Sequence, residues 1–263
     1  MLELRKVGIL LRDPQAGCLP EWLQQVFAGR GVQLVCLEDA GGGPPDLDLV
    51  VALGGDGTVL RALDLFYHCP VLAINYGTVG FLTAGDRKDL AQIVARVVEG
   101  RYIVSERLVL ACTYPGGTAN AVNEVLVRTS HHMVHVDVYM DDTRIRTIVG
   151  DGVVVGTPTG STAFLLSTGA PIVMPDVRCL ILDGINEFNF TSRALILAPD
   201  STVRLRLSAE TRQRCVSLFA DGRLLCGLEP GQEVCISRAP YTAKLIYLEP
   251  DYFFRNLSSK LSW

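Results

Sequence analysis

Residues 50–61, Val50-Val51-Ala52-Leu53-Gly54-Gly55-Asp56-Gly57-Thr58-Val59-Leu60-Arg61, pass from an apolar run through three glycines and one acid into a helical pattern. A strand that ends in such a turn and re-enters as a helix belongs to an open α/β sheet, which binds ligands beyond the carboxyl ends of its strands. The flanking segments carry the same alternation. Strands are expected at 6–11, 32–37, 49–53 and 71–74, and helices at 19–31 and 59–67. Leu90, Ile93, Val94, Val97 and Val98 form the i, i+3, i+4, i+7, i+8 stripe of an amphipathic helix. Parallel βαβ units follow.

From about Arg101 the period changes. Segments 107–114, 122–129, 134–140, 144–155, 194–198, 202–207, 214–219, 233–237 and 243–248 are short, rich in Val, Ile and Leu, and bounded by turn residues, the pattern of a β-rich domain. One helix interrupts them near 162–167. The expected organisation is an α/β domain over 1–101 and a β-rich domain over 102–248, with 249–263 folding back on the first. A length of 263 residues suits two domains.

A net charge of −4 argues against a protein that grips nucleic acid by charge, and leaves small anionic ligands open to local capture by turn amides and arginines. The eight cysteines form no Cys-x-x-Cys pair and mostly sit in apolar runs, so they read as reduced and cytoplasmic. The N-terminal apolar run is too short for a signal-peptide core, and no stretch reaches the ~18 apolar residues of a spanning helix.

In the glycine turn, Gly54, Gly55 and Gly57 let a backbone approach a phosphate, and Thr58 is expected to cap the helix whose amide end favours an anion. Asp56 would repel that anion, so a base, a magnesium contact or a plain Asx turn accounts for it. Two glycine motifs fail here: a dinucleotide fingerprint from Gly55 needs glycine at position 60, which is Leu60, and a P-loop needs Gly-Lys, absent from the chain. Three further stretches stand out: 75–83, again directly after a strand; Asn123-Glu124, a polar pair in an apolar strand that needs partners if buried; and the strand, turn and short helix of 150–164.

Together, Gly-Gly-Asp-Gly-Thr at 54–58, "GFLT" at 80–83, Asn123-Glu124 and "DGVVVGTPTGSTAF" at 151–164 resemble the NAD kinase family, and the similarity continues through "STGAPIVMP" (167–175), "SRALILAPDS" (192–201) and "ADGR" (220–223). The aspartate turn alone is shared with diacylglycerol, sphingosine and phosphofructo-kinases; the Asn-Glu pair and "TPTGSTAF" separate the NAD branch. The resemblance implies a Rossmann-like parallel sheet followed by a mostly β domain, in an NAD kinase-like α+β architecture. It also implies phosphorylation of the 2′-hydroxyl of the adenosine ribose of NAD, with ATP or polyphosphate as donor and Mg2+ or another divalent cation as cofactor. Homodimers or homotetramers follow from the resemblance as well.

Carried over residue by residue, Asp56 matches the family's base. Asn123 and Glu124 match the pair engaging NAD, and Asp151 a carboxylate at the nicotinamide end. Thr159 and the run containing Thr162, Ala163, Phe164 and Ser167 match the dinucleotide lining, and Phe81 an aromatic near a base. Gly57 lies against NAD as well as phosphate, and Arg61 joins Gly54, Gly55, Gly57 and Thr58 on the donor side. No residue is expected as a direct metal ligand.

The chain departs from the family in places. Val149 stands where many members carry a basic residue, a charge that Arg144 or Arg146 would have to supply. Phe164 replaces a tyrosine, Arg223 stands where Gln or Asn is frequent, and 183–193 is unusual, leaving Asn186 and Phe188 as ligand candidates. His131, His132 and His135 alternate faces on the expected strand, which disfavours a shared metal. Ser161 lacks a Gly-x-Ser-x-Gly elbow, and Asp141-Asp142 reads as a hairpin turn. The rival functions are a lipid or sphingoid kinase on the same aspartate turn and a non-catalytic dinucleotide sensor.

Overall fold

The computed structural model describes residues 4–12, 21–37, 46–76, 80–189, 192–211 and 216–261. Cys18, Cys215, the 41–45 loop, Gly77-Thr78-Val79 of the 75–83 stretch and the start of the helix expected at 19–31 lie outside them. The chain forms two compact units, Met1–Glu106 with Ala243–Trp263, and Arg107–Thr242.

In the first unit, β1 (Lys6–Leu11), α1 (Glu21–Phe27), β2 (Gln33–Leu37), β3 (Leu49–Leu53), α2 (Asp56–Leu65), β4 (Val71–Asn75), β5 (Gly85–Asp86) and α3 (Leu90–Val98) alternate. The parallel sheet runs in the order β2-β1-β3-β4, and β5 pairs with β4. β3 and β4 are buried along their whole length, which their unbroken apolar runs already imply for a sheet covered on both faces. On one face Val7, Ile9, Leu49, Val51, Leu72 and Ile74 meet Leu23 and Phe27 of α1 and Leu90, Ile93, Val94 and Val97 of α3. The chain leaves β1 towards β2 on one side and returns to β3 on the other, so the strand order reverses between β1 and β3. The glycine turn sits at the carboxyl end of β3, at that reversal.

The second unit contains β7 (Gly117–Ala121), β8 (Glu124–Thr129), β9 (Val134–Met140), β10 (Thr143–Gly150), β11 (Gly152–Gly156), α4 (Phe164–Thr168), β12 (Leu180–Ile185), β13 (Leu195–Leu197), β14 (Val203–Leu207), β15 (Val216–Ala220) and β16 (Arg223–Leu228). Two longer strands, β6 (Ile103–Tyr114) and β17 (Glu233–Tyr247), carry the chain between the units; α5 (Tyr252–Leu261) then ends the first. An antiparallel sheet ordered β13-β12-β11-β8-β15-β16 faces β10, β9, β14 and β17 across one apolar core built from Val125, Val127, Val136, Val138, Val153, Val155, Leu182, Leu205 and Leu218. The intervening residues Leu126, Val154 and Ile181 point the other way, onto Leu165 of α4. Both faces being covered explains why β11 reads as an uninterrupted apolar run.

Several expectations change. The run 144–155 is two strands broken at Asp151, because Asp151 N–H turns to the Ile185 carbonyl (2.8 Å) and its own carbonyl to Thr129 (2.9 Å). The separate strands expected at 233–237 and 243–248 are one, β17. β7, β12 and β16 were not anticipated; the interior of β12 carries Asp183 and Gly184, which break its apolar pattern, and β16 is half exposed. The helix expected at 162–167 is a 3-10 turn, Thr159–Thr162, followed by α4. The three histidines do not share a strand: β9 begins at Val134, and His132 has φ +52° in the preceding turn.

Candidate active site

One group of candidate residues lies in the first unit. Leu53 ends β3, Gly54 N–H bonds Ile74 O on β4 (3.0 Å), and Asp56 opens α2 with Gly55 as its N-cap. Thr58 therefore does not cap the helix: it is the third helical residue, buried, with its hydroxyl over Gly54. Among the described residues nothing lies near the direction a β-carbon on Gly55 or Gly57 would take, so their backbone is open on that side. Arg61 is turned back to the end of β1, where it donates to Leu11 O (2.6 Å).

The Asp56 carboxylate is held by two amides. Phe81 N–H donates to Oδ2 (2.9 Å) and Leu82 N–H to Oδ1 (3.1 Å). A β-carbon on Gly80 would coincide with Asp56 Oδ1, so glycine there is what lets the segment come this close. Both oxygens are aimed and each keeps a second lone pair for a ligand proton.

A separate group of candidate residues lies in the second unit. Asp221 and Gly222 form the β15–β16 turn with φ +47° and +77°, and Asp221 reaches back to Val122 N (2.7 Å), Asn123 N (2.8 Å) and Glu124 N (3.1 Å). This clamp was not assigned from the sequence, although the Asp-Gly pair between two apolar runs is a hairpin signal. On the opposite side Thr157-Pro158-Thr159-Gly160 folds over Asn123: Thr157 N–H meets Asn123 O (2.9 Å), and a β-carbon on Gly160 would fall on that same oxygen. Thr157 Oγ1 donates to Val122 O (2.5 Å), and buried Arg107 donates to Thr159 Oγ1 (3.3 Å). Ser161 is buried and spent on Pro158 O and Val173 N, a structural hydroxyl rather than a nucleophile.

Glu124 is 8% exposed, and its Oε2 makes no hydrogen bond among the described residues. Burial, and after it the Asp221 charge, push its carboxyl up to about 8, with the Phe164 amide pulling the other way. It is therefore neutral at pH 7 and can donate a proton to a ligand oxygen. The folded protein keeps a proton that the unfolded chain releases above its ordinary 4.5, so the contribution of Glu124 to stability falls as pH rises from about 4.5 to about 8 and is constant outside that window. Glu124→Gln is expected to match the parent below that window and to be more stable at pH 8, by no more than about 5 kcal/mol at roughly 1.4 kcal/mol per unit. Urea unfolding at pH 4.5 and 8 checks this; an unchanged pH slope would refute it.

Asp151 accepts from Asn186 Nδ2 (2.7 Å), and Asn186 is held at φ +45°. Phe164 starts α4 with the Arg128 guanidinium 6.0 Å from its ring centre, while Thr162 and Ser167 bond carbonyls of their own turns, Thr159 O and Phe164 O. Of the two arginines near Val149, Arg144 bonds Asp137 and Thr147, and Arg146 bonds Glu187 (3.0 Å) and Ser192 through Nη1, with its buried Nε and Nη2 making no hydrogen bond among the described residues. Phe188 is 67% exposed, its N–H on Val149 O. Among the described residues no group of three or more His, Cys, Asp and Glu is placed to hold a metal ion.

Residues 122–248 match the family model of the ATP-NAD kinase C-terminal domain, and residues 44–102 that of the ATP-NAD kinase N-terminal domain. The chain belongs to the NAD kinase family. It is 38% identical over 226 residues to the NAD kinase of Symbiobacterium thermophilum, spanning 82% of this chain and 79% of that one. To the NAD kinase of Porphyromonas gingivalis it is 35% identical over 226 residues, spanning 84% and 77%. In fold it resembles yeast NADH kinase complexed with NADH, with a TM-score of 0.87 at 24% identity over 99% of this chain and 88% of that one. It also resembles an Archaeoglobus fulgidus NAD kinase in complex with ATP, with a TM-score of 0.81 at 24% identity over 98% of each. As an NAD kinase family member the chain is an enzyme, a phosphotransferase with an α/β unit and a β-rich unit. No helix among its described residues is long and apolar enough to cross a membrane.

Proposed function

We propose that this kinase transfers a phosphoryl group from ATP, or from polyphosphate, to the 2′-hydroxyl of the adenosine ribose of NAD, giving NADP. The observation that carries the reading is the Asp56 carboxylate, aimed by two backbone amides at the carboxyl end of β3, beside glycines whose backbone is open on the side a β-carbon would take. Asp56 accepts the hydroxyl proton as the acceptor oxygen attacks, a role worth typically ~10²–10⁴-fold. The amides at Gly55 and Gly57 and the amino end of α2 receive phosphate oxygens. Asn123, the neutral Glu124 and the Thr159–Phe164 turn orient the dinucleotide, with Asp151 and Asn186 towards its other end. Alignment of donor and acceptor accounts for most of what such a site must do.

The described residues build no cage of their own for a divalent cation, and Asp56 is already engaged by two amides, so the chain fits Mg2+ as a partner of the donor phosphates, with several waters retained. Bound there, the ion neutralises phosphate charge. The family resemblance supports a homodimer or homotetramer. A cytoplasmic setting is supported by the cysteines: Cys36, Cys69, Cys112, Cys179, Cys226 and Cys235 are all unbridged, with the Cys69 and Cys112 thiols pushed up to about 12 by burial. The test is NADP formation from NAD or NADH across ATP and polyphosphate, with diacylglycerol and sphingosine as competing acceptors. NAD or NADH turnover with no lipid phosphorylation is expected. Lipid turnover, or NAD binding by calorimetry without product, would overturn the reading.

A further inference from the structure

The segment Gly80-Phe81-Leu82-Thr83 gives its amides to Asp56 and its carbonyls elsewhere. Asn256 Nδ2, on α5, donates to Phe81 O (2.9 Å) and to Thr83 O (3.3 Å). Tyr247 OH, at the end of β17, donates to Leu82 O (3.1 Å), and Thr83 Oγ1 closes on Gly80 O (3.2 Å). Two of the three anchoring side chains thus come from residues more than 160 positions away, in the part of the first unit contributed by the chain's end.

These anchors are themselves fixed. Tyr247 is fully buried and stacks on Tyr252, with ring centres 3.5 Å apart and planes 7° apart. The Tyr252 hydroxyl bonds Ser105 (2.9 Å), and Leu257 is buried on the same helix. A cavity of about 250 Å³ opens beside Thr83 and is lined by Asp89, Arg96, Tyr252 and Arg255 together with the two tethers, Tyr247 and Asn256. Leu82 and Thr83 are buried, and the polar tethers to Phe81 O, Leu82 O and Thr83 O add direction to that packing, fixing where the amides point.

We propose that Tyr247 and Asn256 are positioning residues: the chain's last strand and helix hold residues 80–83, whose amides hold Asp56 in the orientation that takes the acceptor's proton. This rests on Asp56 being the base. A displacement near 1 Å at a reacting group is enough to cost up to about 100-fold in rate, so the tether belongs to turnover more than to substrate affinity.

The experiment compares Asn256→Ala, the isosteric non-donor Asn256→Asp, Tyr247→Phe and, as control on the same helix, Arg255→Ala, which breaks only the exposed pair with Asp251. Expected are kcat losses of about tenfold for both Asn256 variants and severalfold for Tyr247→Phe, KM for NAD and ATP within about threefold, and no change for Arg255→Ala. Hydrogen exchange in peptides covering Phe81 and Leu82 is expected to quicken in the Asn256 variants, and Asn256→Ala placed on Asp56→Asn is expected to lower kcat no further. A fall in Tm with kcat and exchange at Phe81 and Leu82 preserved overturns the proposal, as does faster exchange with kcat intact. If Asp56→Asn alone keeps its turnover, the base assignment fails and the positioning role in catalysis fails with it; if Asp56→Asn is inactive and the Asn256 variants are not impaired, only the positioning proposal fails.

Discussion

Asp56→Asn is expected to lower kcat for NADP formation by about 10²–10⁴-fold, with the fold intact and KM for either substrate little changed. The side chain keeps its shape and loses its basicity. It also acquires an amide NH2 where Phe81 or Leu82 now donates, because those two amides occupy opposite oxygens of the carboxylate. One donor then faces another, at a local cost of about 1–3 kcal/mol. Steady-state kinetics with a parallel melting curve reads both effects: the fall in kcat carries the lost basicity together with the lost aim, and the fall in Tm the lost hydrogen bond. A folded variant that retains most of its turnover would remove Asp56 from the chemistry and reduce the turn to a phosphate cradle.

Asp221→Ala is expected to be the most destabilising of these substitutions. Its carboxylate is the acceptor for three consecutive amides, Val122, Asn123 and Glu124, and the backbone at Asp221 is left-handed. Removing the acceptor exposes each amide to a penalty that water at this half-buried turn repairs in part, and alanine at positive φ adds about 1–2 kcal/mol. A loss of about 3 kcal/mol, or a Tm lower by roughly 6–12 °C for a unit of this size, is expected, with a rise in KM for NAD because the Asn123-Glu124 pair loses its clamp. Asp221→Asn, which tolerates the same backbone and keeps one acceptor, should fall between the two. Melting curves and NAD titrations of the three proteins decide it; an alanine variant with the parent Tm would show that these amides find other acceptors at no cost.

Much of the first unit can be seen in the linear chain. The strands at 6–11 and 49–53 have the bounds expected from the sequence pattern, and four of the five residues in the expected α3 stripe are buried. Both signals come from neighbours within eight residues, the range over which periodicity operates. The glycine turn was legible for the same reason, being one continuous strand–turn–helix. The error at Thr58 is equally local: a helix may be capped by its first non-helical residue whether or not that residue carries a hydroxyl, and here a glycine takes the place.

What the order of residues determined by itself is the kinase family, the alternation of elements in the first hundred residues and the chemical types gathered in the motifs, because each is written in short contiguous patterns. The tertiary structure alone decided that Asp221 grips the amides of residues 122–124, that burial leaves Glu124 neutral, and that Asn256 and Tyr247 tether the segment under Asp56. Those bonds join residues about 100 to 175 positions apart, and such pairings arise only when chain packing leaves a buried amide or carbonyl that some distant side chain must satisfy.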